Sequence, residues 1–278
     1  MSRESVFKSA RGRDVIRAYY NGILGLFPLA RQTVHTSFGE TFVLEAGSAV
    51  NPPVVLLHGS CSNSAAWLGD LPALAAHARV YAVDLPGEPG NSEDCRLDFQ
   101  SDEYPRWLRE VLDALHADKA VVIGNSMGGW LALRFAAAFP ERTAALVLLA
   151  PSGIVPPRAS FLSQTKDFAS DPGSAQAANA AVTGDTALPR EVLEFMALVA
   201  EHFIPFTGAL PILSDTQMRK LTMPVLYIAG TADATMDARQ AARRLERLVP
   251  HAQIRLREGA HIITGAAEQI LPFLKRGI

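Results

Sequence analysis

The stretch Ala120-Val121-Val122-Ile123-Gly124-Asn125-Ser126-Met127-Gly128-Gly129-Trp130 joins an unbroken apolar run to a helix-forming segment through one serine framed by glycines. An apolar run of this kind predicts a strand buried on both faces. The residues from Trp130 to Phe139 predict a helix. Between them, Gly124-Asn125-Ser126-Met127-Gly128 is a G-x-S-x-G pentapeptide in a strand, turn, helix setting. A serine hydroxyl is a weak nucleophile until a neighbouring base takes its proton, so it must be held where a histidine and an electrophile both reach it. A sharp turn from strand into helix does this. The two backbones then nearly touch, and the residues flanking the serine must be small. A dinucleotide-binding turn would instead gather several glycines round a phosphate, with an acidic residue after the next strand.

Working outward, further apolar runs repeat the pattern. Val54 to Leu57 ends in His58-Gly59, Val80 to Val83 ends at Asp84, and Ala145 to Leu149, Val225 to Ile228 and Ile254 to Leu256 follow. Helical stretches separate them at Ala65 to Ala76, Tyr104 to Ala117, Gly129 to Phe139 and Ala238 to Leu248. Ahead of all these, Gln32 to Phe38 and Thr41 to Ala46 predict a hairpin turning at Gly39. The fold class expected is therefore α/β: a mostly parallel, doubly wound central sheet with helices on both faces.

One segment breaks the rhythm. Residues 152–215 contain no strand-like run and are punctuated by Pro156, Pro157, Pro172, Pro189, Pro205 and Pro211. Val192, Phe195, Met196, Val199 and Phe203 form a helical apolar stripe within it. The segment is expected to be a helical lid over the carboxyl ends of the strands, where open α/β sheets bind ligands. The expected organisation is an amphipathic helix in 1–32, an α/β core in 33–151 and 216–278, and the lid in 152–215. The N-terminal helix is read from Val6, Val15, Ile16, Tyr19, Tyr20, Ile23 and Leu24.

The 278 residues are 49% apolar with a mean hydropathy of +0.12, enough to bury a large core without staples. The net charge of -2 comes from scattered groups, so nucleic acid is not an expected partner. Arg3, Lys8, Arg11, Arg13 and Arg17 precede a short apolar stretch that Pro28 interrupts. A membrane span needs about 20 apolar residues, and neither a span nor a signal peptide is expected. Cys61 and Cys95 form no C-x-x-C pair and no zinc ligand set. They are read as free thiols in a reducing, cytoplasmic setting, with no metal and no cofactor.

If Ser126 is the nucleophile, an acid and then a histidine should follow in chain order at strand ends. Asp233 in Gly230-Thr231-Ala232-Asp233 and His261 in Gly259-Ala260-His261 each stand just past an apolar run. The imidazole would take the serine proton, and the carboxylate would fix its tautomer. Asp237 is an alternative acid, although its place at the start of a helix suits a helix-dipole role. His35, His77, His116 and His251 have no matching partner in the sequence; His202, in the lid, is the one other histidine retained as a candidate. For the oxyanion, the backbone N–H of Met127 is one expected donor and that of Ser60, in the loop after an early strand, the second. His58 is read as a residue that shapes this loop.

Together, His58-Gly59-Ser60, Asp84-Leu85-Pro86-Gly87 with Ser92, Gly124 to Gly129, Gly230 to Asp233 and Gly259-Ala260-His261 resemble the α/β-hydrolase fold family over nearly the whole chain after residue 50. The resemblance implies a lidded hydrolase. Within that family, carboxylesterases, lactonases and the hydrolases of aromatic ring-cleavage products carry such caps, while dehalogenases and epoxide hydrolases place an aspartate where Ser126 stands. Asn125 and Trp67 are similar to the carbon–carbon bond hydrolases of vinylogous diketones. Ser60-Cys61-Ser62-Asn63 in place of Gly-Pro-Gly, Ile262 in place of an aromatic, and the extra residue in Gly87-Glu88-Pro89-Gly90-Asn91-Ser92 depart from them. These features look closer to bacterial carboxylesterase-like proteins.

The expected activity is hydrolysis of a small, mainly apolar carboxylic ester through an acyl-enzyme on Ser126. Phe161, Phe168, Phe195, Phe203 and Phe206 supply an apolar lid. Cys61, Asn125, His202, Phe203, Phe206 and Ile262 are the expected pocket residues. Two alternatives stand: carbon–carbon bond hydrolysis of a dienoate ketone, for which Arg158 or Arg190 would meet the substrate carboxylate, and a ligand-binding homologue without turnover.

Overall fold

The apolar runs lie side by side in one eight-stranded sheet. Its strands are β1 (Ala30–Thr36), β2 (Gly39–Ala46), β3 (Pro53–Leu57), β4 (Arg79–Val83), β5 (Ala120–Asn125), β6 (Thr143–Leu149), β7 (Val225–Gly230) and β8 (Gln253–Arg257), in the spatial order β1-β2-β4-β3-β5-β6-β7-β8. β1 and β2 pair antiparallel, as do β2 and β4; from β4 to β8 every neighbour is parallel. The helices are α1 (Ala10–Leu24), α2 (Leu71–Ala75), α3 (Glu103–Ala114), α4 (Met127–Ala138), α5 (Ala159–Thr165), α6 (Pro172–Thr183), α7 (Arg190–His202), α8 (Asp215–Met218), α9 (Ala238–Leu248) and α10 (Ala267–Gly277). This computed structural model describes residues 4–168 and 170–277; residues 1–3, with Arg3, residue 169 and residue 278 lie outside the described residues.

The central strands are buried on both faces, Val54 to Leu57, Val121 to Ile123 and Val225 to Ile228 among them. That burial is why their sequences do not alternate. Because these strands are parallel, the loops that follow them emerge at one edge of the sheet, where a site can be assembled from distant parts of the chain.

Two local expectations are corrected, and one helix is added. The hairpin turns at Ser37-Phe38, with Gly39 already paired to Thr36 as the first residue of β2. The helix expected over Ala65 to Ala76 is two pieces, a 3-10 turn at Ser64–Trp67 and the short α2. Pro72 has no N–H and its ring would crowd a preceding helical turn, so it suits the first turn of α2 and disfavours one continuous helix from Ala65. Asp70, at the break, instead accepts the Ala267 N–H at 2.9 Å and so holds the start of α10. That last helix, with Pro272 in its interior, was not expected from the sequence.

α1 buries Gly12, Ile16, Tyr20 and Leu24. Tyr20 and Leu24 join the main core, while Ile16 packs with Val6, Phe7, Val199 and Phe203, so that α1 is gripped between the sheet domain and α7. α5 to α8 all lie in the long connection between β6 and β7. Among the described residues no helix is long and apolar enough to cross a membrane.

One buried carboxylate ties these layers together. Asp84, at the end of β4, accepts hydrogen bonds from Tyr20 Oη (3.0 Å), Ser64 N–H (2.8 Å), Ser64 Oγ (2.6 Å) and Asn91 N–H (2.8 Å). Replacing it leaves several buried donors unpaired, each costing about 1–3 kcal/mol. Asp84→Ala is therefore expected to lose on the order of 3 kcal/mol or more of unfolding free energy, measured by urea denaturation.

Candidate active site

The site is built round the turn between β5 and α4. Ser126 has φ 53° and ψ -112°, a left-handed conformation that an L-residue with a Cβ rarely adopts. Such a residue costs on the order of 1–3 kcal/mol and persists only where its surroundings force it. Its N–H donates to the Leu149 carbonyl at 2.9 Å, and its carbonyl accepts from Trp130 (3.0 Å) and Ser152 (3.1 Å). The glycines on either side are obligatory. A Cβ on Gly124 would stand 2.2 Å from the Gly128 carbonyl oxygen, and one on Gly128 would stand 2.2 Å from that of Leu57.

Ser126 Oγ lies 2.9 Å from His261 Nε2, and His261 Nδ1 lies 2.7 Å from Asp233 Oδ2. The two partners are 135 and 28 residues from His261 in sequence. They meet because each ends a loop at the same sheet edge. The Ala232 N–H donates to the Gly259 carbonyl at 2.9 Å, clipping the acid loop to the histidine loop. Asp233 is wholly buried, which alone would raise its pKa. The hydrogen bond from His261 and those from Thr235 outweigh that burial and hold the carboxyl below its ordinary value, so it is ionised at neutral pH. Its Oδ1 takes the Thr235 N–H at 2.7 Å and the Thr235 hydroxyl at 2.8 Å, leaving Oδ2 for the imidazole. Asp237, the alternative acid, caps α9 by accepting the Gln240 N–H at 2.9 Å.

Across from the histidine lies the loop after β3. His58 is fully buried there, and burial lowers its pKa, so the ring is neutral. Nε2 accepts the Leu85 N–H at 2.9 Å, which leaves Nδ1 to carry the proton and donate to the Gly59 carbonyl at 2.8 Å. His58 thus fixes the Gly59–Ser60 peptide. Gly59 sits beside the nucleophile candidate, where its Cβ would stand 3.4 Å from Ser126 Cβ. Cys61 follows with φ 58°, its N–H donating to Glu88 Oε2 at 2.6 Å. Burial, and then the nearby Glu88, push the Cys61 thiol up to about 12, so it stays protonated and unreactive.

The remaining predicted pocket residues divide. Asn125 ends β5 beside Gly59, and Ile262 donates its N–H to the Val182 carbonyl at the end of α6 at 3.3 Å. His202 lies elsewhere: its imidazole packs over Gly12 of α1 and stands 3.6 Å from Glu201. Phe203 is fully buried with its ring centroid 5.9 Å from that of Phe7, and Phe206 lies tilted against Phe99 with centroids 4.4 Å apart. Among the described residues these three make no hydrogen bond with Ser126, His261 or Asp233. Thr235 and Glu88 were not foreseen. Thr235 stands two residues after the acid, a spacing that an Asx-type turn could have suggested. Among the described residues no cluster of His, Cys, Asp and Glu could hold a metal ion.

A family model described as "Alpha/beta hydrolase family" matches residues 54–272. The chain is 27% identical over 262 residues to the "Uncharacterized carboxylesterase nap" of Bacillus subtilis (strain 168), covering 90% of this chain and 87% of that one. It is 26% identical to carboxylesterase YbfK of the same organism, covering 93% of each. The crystal structure of that carboxylesterase, CesB (YbfK), superposes with a TM-score of 0.89 at 23% identity over 97% of this chain and 100% of that one, so the two share a fold. A shorter match, 37% identical over 105 residues, covers 37% of this chain and 38% of the 2-hydroxy-6-oxo-2,4-heptadienoate hydrolase of Pseudomonas putida.

The close approach at the turn is open to a direct test. Gly128→Ala forces a methyl group onto the Leu57 carbonyl and is expected to lower stability by roughly 1–3 kcal/mol, read as a fall in Tm. Gly22→Ala in α1, whose Cβ would meet nothing within 4 Å, is expected to leave Tm unchanged or raise it.

Proposed function

The chain belongs to the alpha/beta hydrolase family, and from that premise we propose that it hydrolyses small, mainly apolar carboxylic esters through an acyl-enzyme on Ser126. The observation that carries this reading is the unbroken line Asp233, His261, Ser126, with contacts of 2.7 and 2.9 Å, ending at a half-buried serine on a strained strand-to-helix turn. A homologue that had lost turnover would have no need of that alignment.

In this reading His261 Nε2 takes the Ser126 proton as Oγ attacks the ester carbonyl carbon. Asp233 stays ionised and steadies the imidazolium. The oxyanion that forms faces the Met127 N–H, at the first turn of α4, where helix N–H groups have no intrahelical partner. The Ser60 N–H is the second donor. The peptide is trans, so with the Gly59 carbonyl held by His58 the Ser60 N–H is aimed the opposite way. His261 then returns the proton to the departing alcohol, and a water molecule, activated in the same manner, releases the acid. Loss of one oxyanion donor typically costs about 10² to 10³ in rate.

Residues 152–215 are read as the lid. Support comes from two attachments: Val182 accepts the Ile262 N–H, next to His261, and Arg158 Nε donates to the Asp233 and Met236 carbonyls at 3.3 Å each. The same contacts bear on the substrate. Arg158 is engaged by the acid loop, and Arg190 is largely exposed in a pair with Glu194. Neither is held ready for a substrate carboxylate, which favours a neutral ester over a dienoate. The names of the two Bacillus carboxylesterases support the same choice. Similarity to the heptadienoate hydrolase over about a third of the chain keeps carbon–carbon bond cleavage as the second reading.

Incubation with p-nitrophenyl butyrate and with an active-site phosphonate decides between them. Turnover and a phosphonate adduct on Ser126 are expected, with Ser126→Ala lowering kcat by at least about 10⁴-fold. A protein that takes no label, or one that bleaches a ring-cleavage dienoate while leaving the ester intact, would overturn the ester reading.

A further inference from the structure

Glu88 is a buried titratable side chain with no task in the reaction above. It lies in Leu85-Pro86-Gly87-Glu88-Pro89-Gly90, the wholly buried loop after β4. This loop passes beneath the one that supplies the Ser60 N–H, and Glu88 reaches up to it: Oε2 accepts the Cys61 N–H at 2.6 Å. Cys61 has a left-handed backbone, φ 58°, which disfavours a residue with a Cβ by roughly 1–2 kcal/mol. The turn therefore needs a hold from outside itself.

Arg96 supplies the counter-charge. Its Nε stands 3.9 Å from Glu88 Oε1, and these two buried atoms have no hydrogen-bond partner among the described residues. The far side of the same guanidinium donates to the Ile204 carbonyl and lies 5.2 Å over the Phe203 ring, so it reaches the segment just after α7. A charge buried in this way costs stability that an apolar side chain of the same volume would not. The hydrogen bond it makes in return is the one to the Cys61 N–H.

The effect is on the peptide planes. His58 holds the Gly59–Ser60 plane through the Gly59 carbonyl, and Glu88 holds the Ser60–Cys61 plane through the Cys61 N–H. With both planes pinned, no free rotation is left at Ser60. Resting on the ester-hydrolase reading, we propose that Glu88 is a positioning residue: its carboxylate grips the Cys61 N–H from behind and so aims the Ser60 N–H at the developing oxyanion, with Arg96 linking this grip to residues 203–204.

The carboxyl is poised to report on this role. Burial pushes it up to about 7, against the opposing influence of Arg96, the Cys61 N–H and the Ser60 hydroxyl. The other titratable group facing it, the Cys61 thiol, stays protonated in this range. Above about pH 7 the ionised carboxylate makes a charge-assisted bond to Cys61 and balances Arg96. As pH falls through that value it takes a proton, Arg96 loses its counter-charge and the grip slackens.

The test uses the full chain and p-nitrophenyl butyrate, with kcat and KM measured from acid to alkaline pH for wild type, Glu88→Ala and Glu88→Gln. Glu88→Ala is expected to lower kcat by about 10- to 100-fold, at or short of the roughly 10²-fold or more that losing a donor costs, with KM within about twofold. Glu88→Gln keeps an acceptor for Cys61 but cannot titrate. It is expected to recover most of kcat at pH 8 and to show a shallower acid limb than wild type. A folded Glu88→Ala protein with wild-type kcat overturns the proposal, as does a Glu88→Gln limb as steep as the wild type's. If Glu88→Ala does not fold, the near-isosteric Glu88→Gln decides by its pH profile. A wild type that neither turns over nor labels at Ser126 overturns the ester reading instead, whereas an active wild type with indifferent Glu88 variants overturns only the role of Glu88.

Discussion

The close passage of β5 against α4 is the constraint on which the rest of the site depends. A strand can feed a helix this abruptly only if the backbones touch, and they do: the space a Cβ would need at Gly124 and Gly128 is already filled by carbonyl oxygens. Ser126 stands at the apex of the turn, in a conformation that its neighbours impose through Leu149, Trp130 and Ser152. The same passage brings the amino end of α4 beside the end of β3, where Gly59 rests against Ser126. The nucleophile candidate, the helix N–H groups and the loop after β3 therefore meet without any flexible element having to be folded over them.

Around that turn, buried acids do different work according to their partners. Asp233 has its burial outweighed by His261 and Thr235 and keeps its charge well into acid. Glu88 has a guanidinium too far for a hydrogen bond, the Cys61 N–H and the weaker pull of the Ser60 hydroxyl, so burial wins and its carboxyl rises to about 7. Two carboxyls in one small region thus shift in opposite directions, and the count of donors reaching each explains why. Asp84, with donors on both oxygens, serves as a brace between α1, the 3-10 turn and the loop at Asn91.

The sequence carried the sheet because strands buried on both faces are unbroken apolar runs, and each run lies within a strand of the structure. It carried Ser126, Asp233 and His261 because each closes a strand at the same edge, a position that local pattern alone reveals. Contacts between loops distant in sequence were harder. Nothing near Cys61 points to Glu88, 27 residues on, and the break at Asp70 is explained only by Ala267, 197 residues away. The stripe through Phe195, Val199 and Phe203 was legible as apolar, but periodicity does not say what it faces; it faces α1, with His202 over Gly12. A helix stripe reports burial, not the partner.

That last contact bears on the lid proposed for residues 152–215. A lid free to swing would rest on the sheet edge alone, yet residues 152–215 are tied at several places to parts of the chain outside the insertion. Ile204 bonds back to Val6, and the His202 carbonyl accepts the Lys8 N–H. Arg244 donates to the Ile154 and Leu213 carbonyls and pairs with Asp215, closing the stem of the insertion. Arg158 and Val182 fasten its other side to the loops of Asp233 and His261. Between those two ties, among the described residues, α5 and the first turns of α6 pack away from the main core, where Phe168, Ala175 and Ala178 form a small cluster against Ala200 of α7. Local opening is drawn from regions with few buried contacts. In the proposed reaction, substrate entry would therefore call on α5 and α6, while α7 stays clamped to α1 and keeps residues 203–204, Arg96 and Glu88 in line beneath the loop at Ser60.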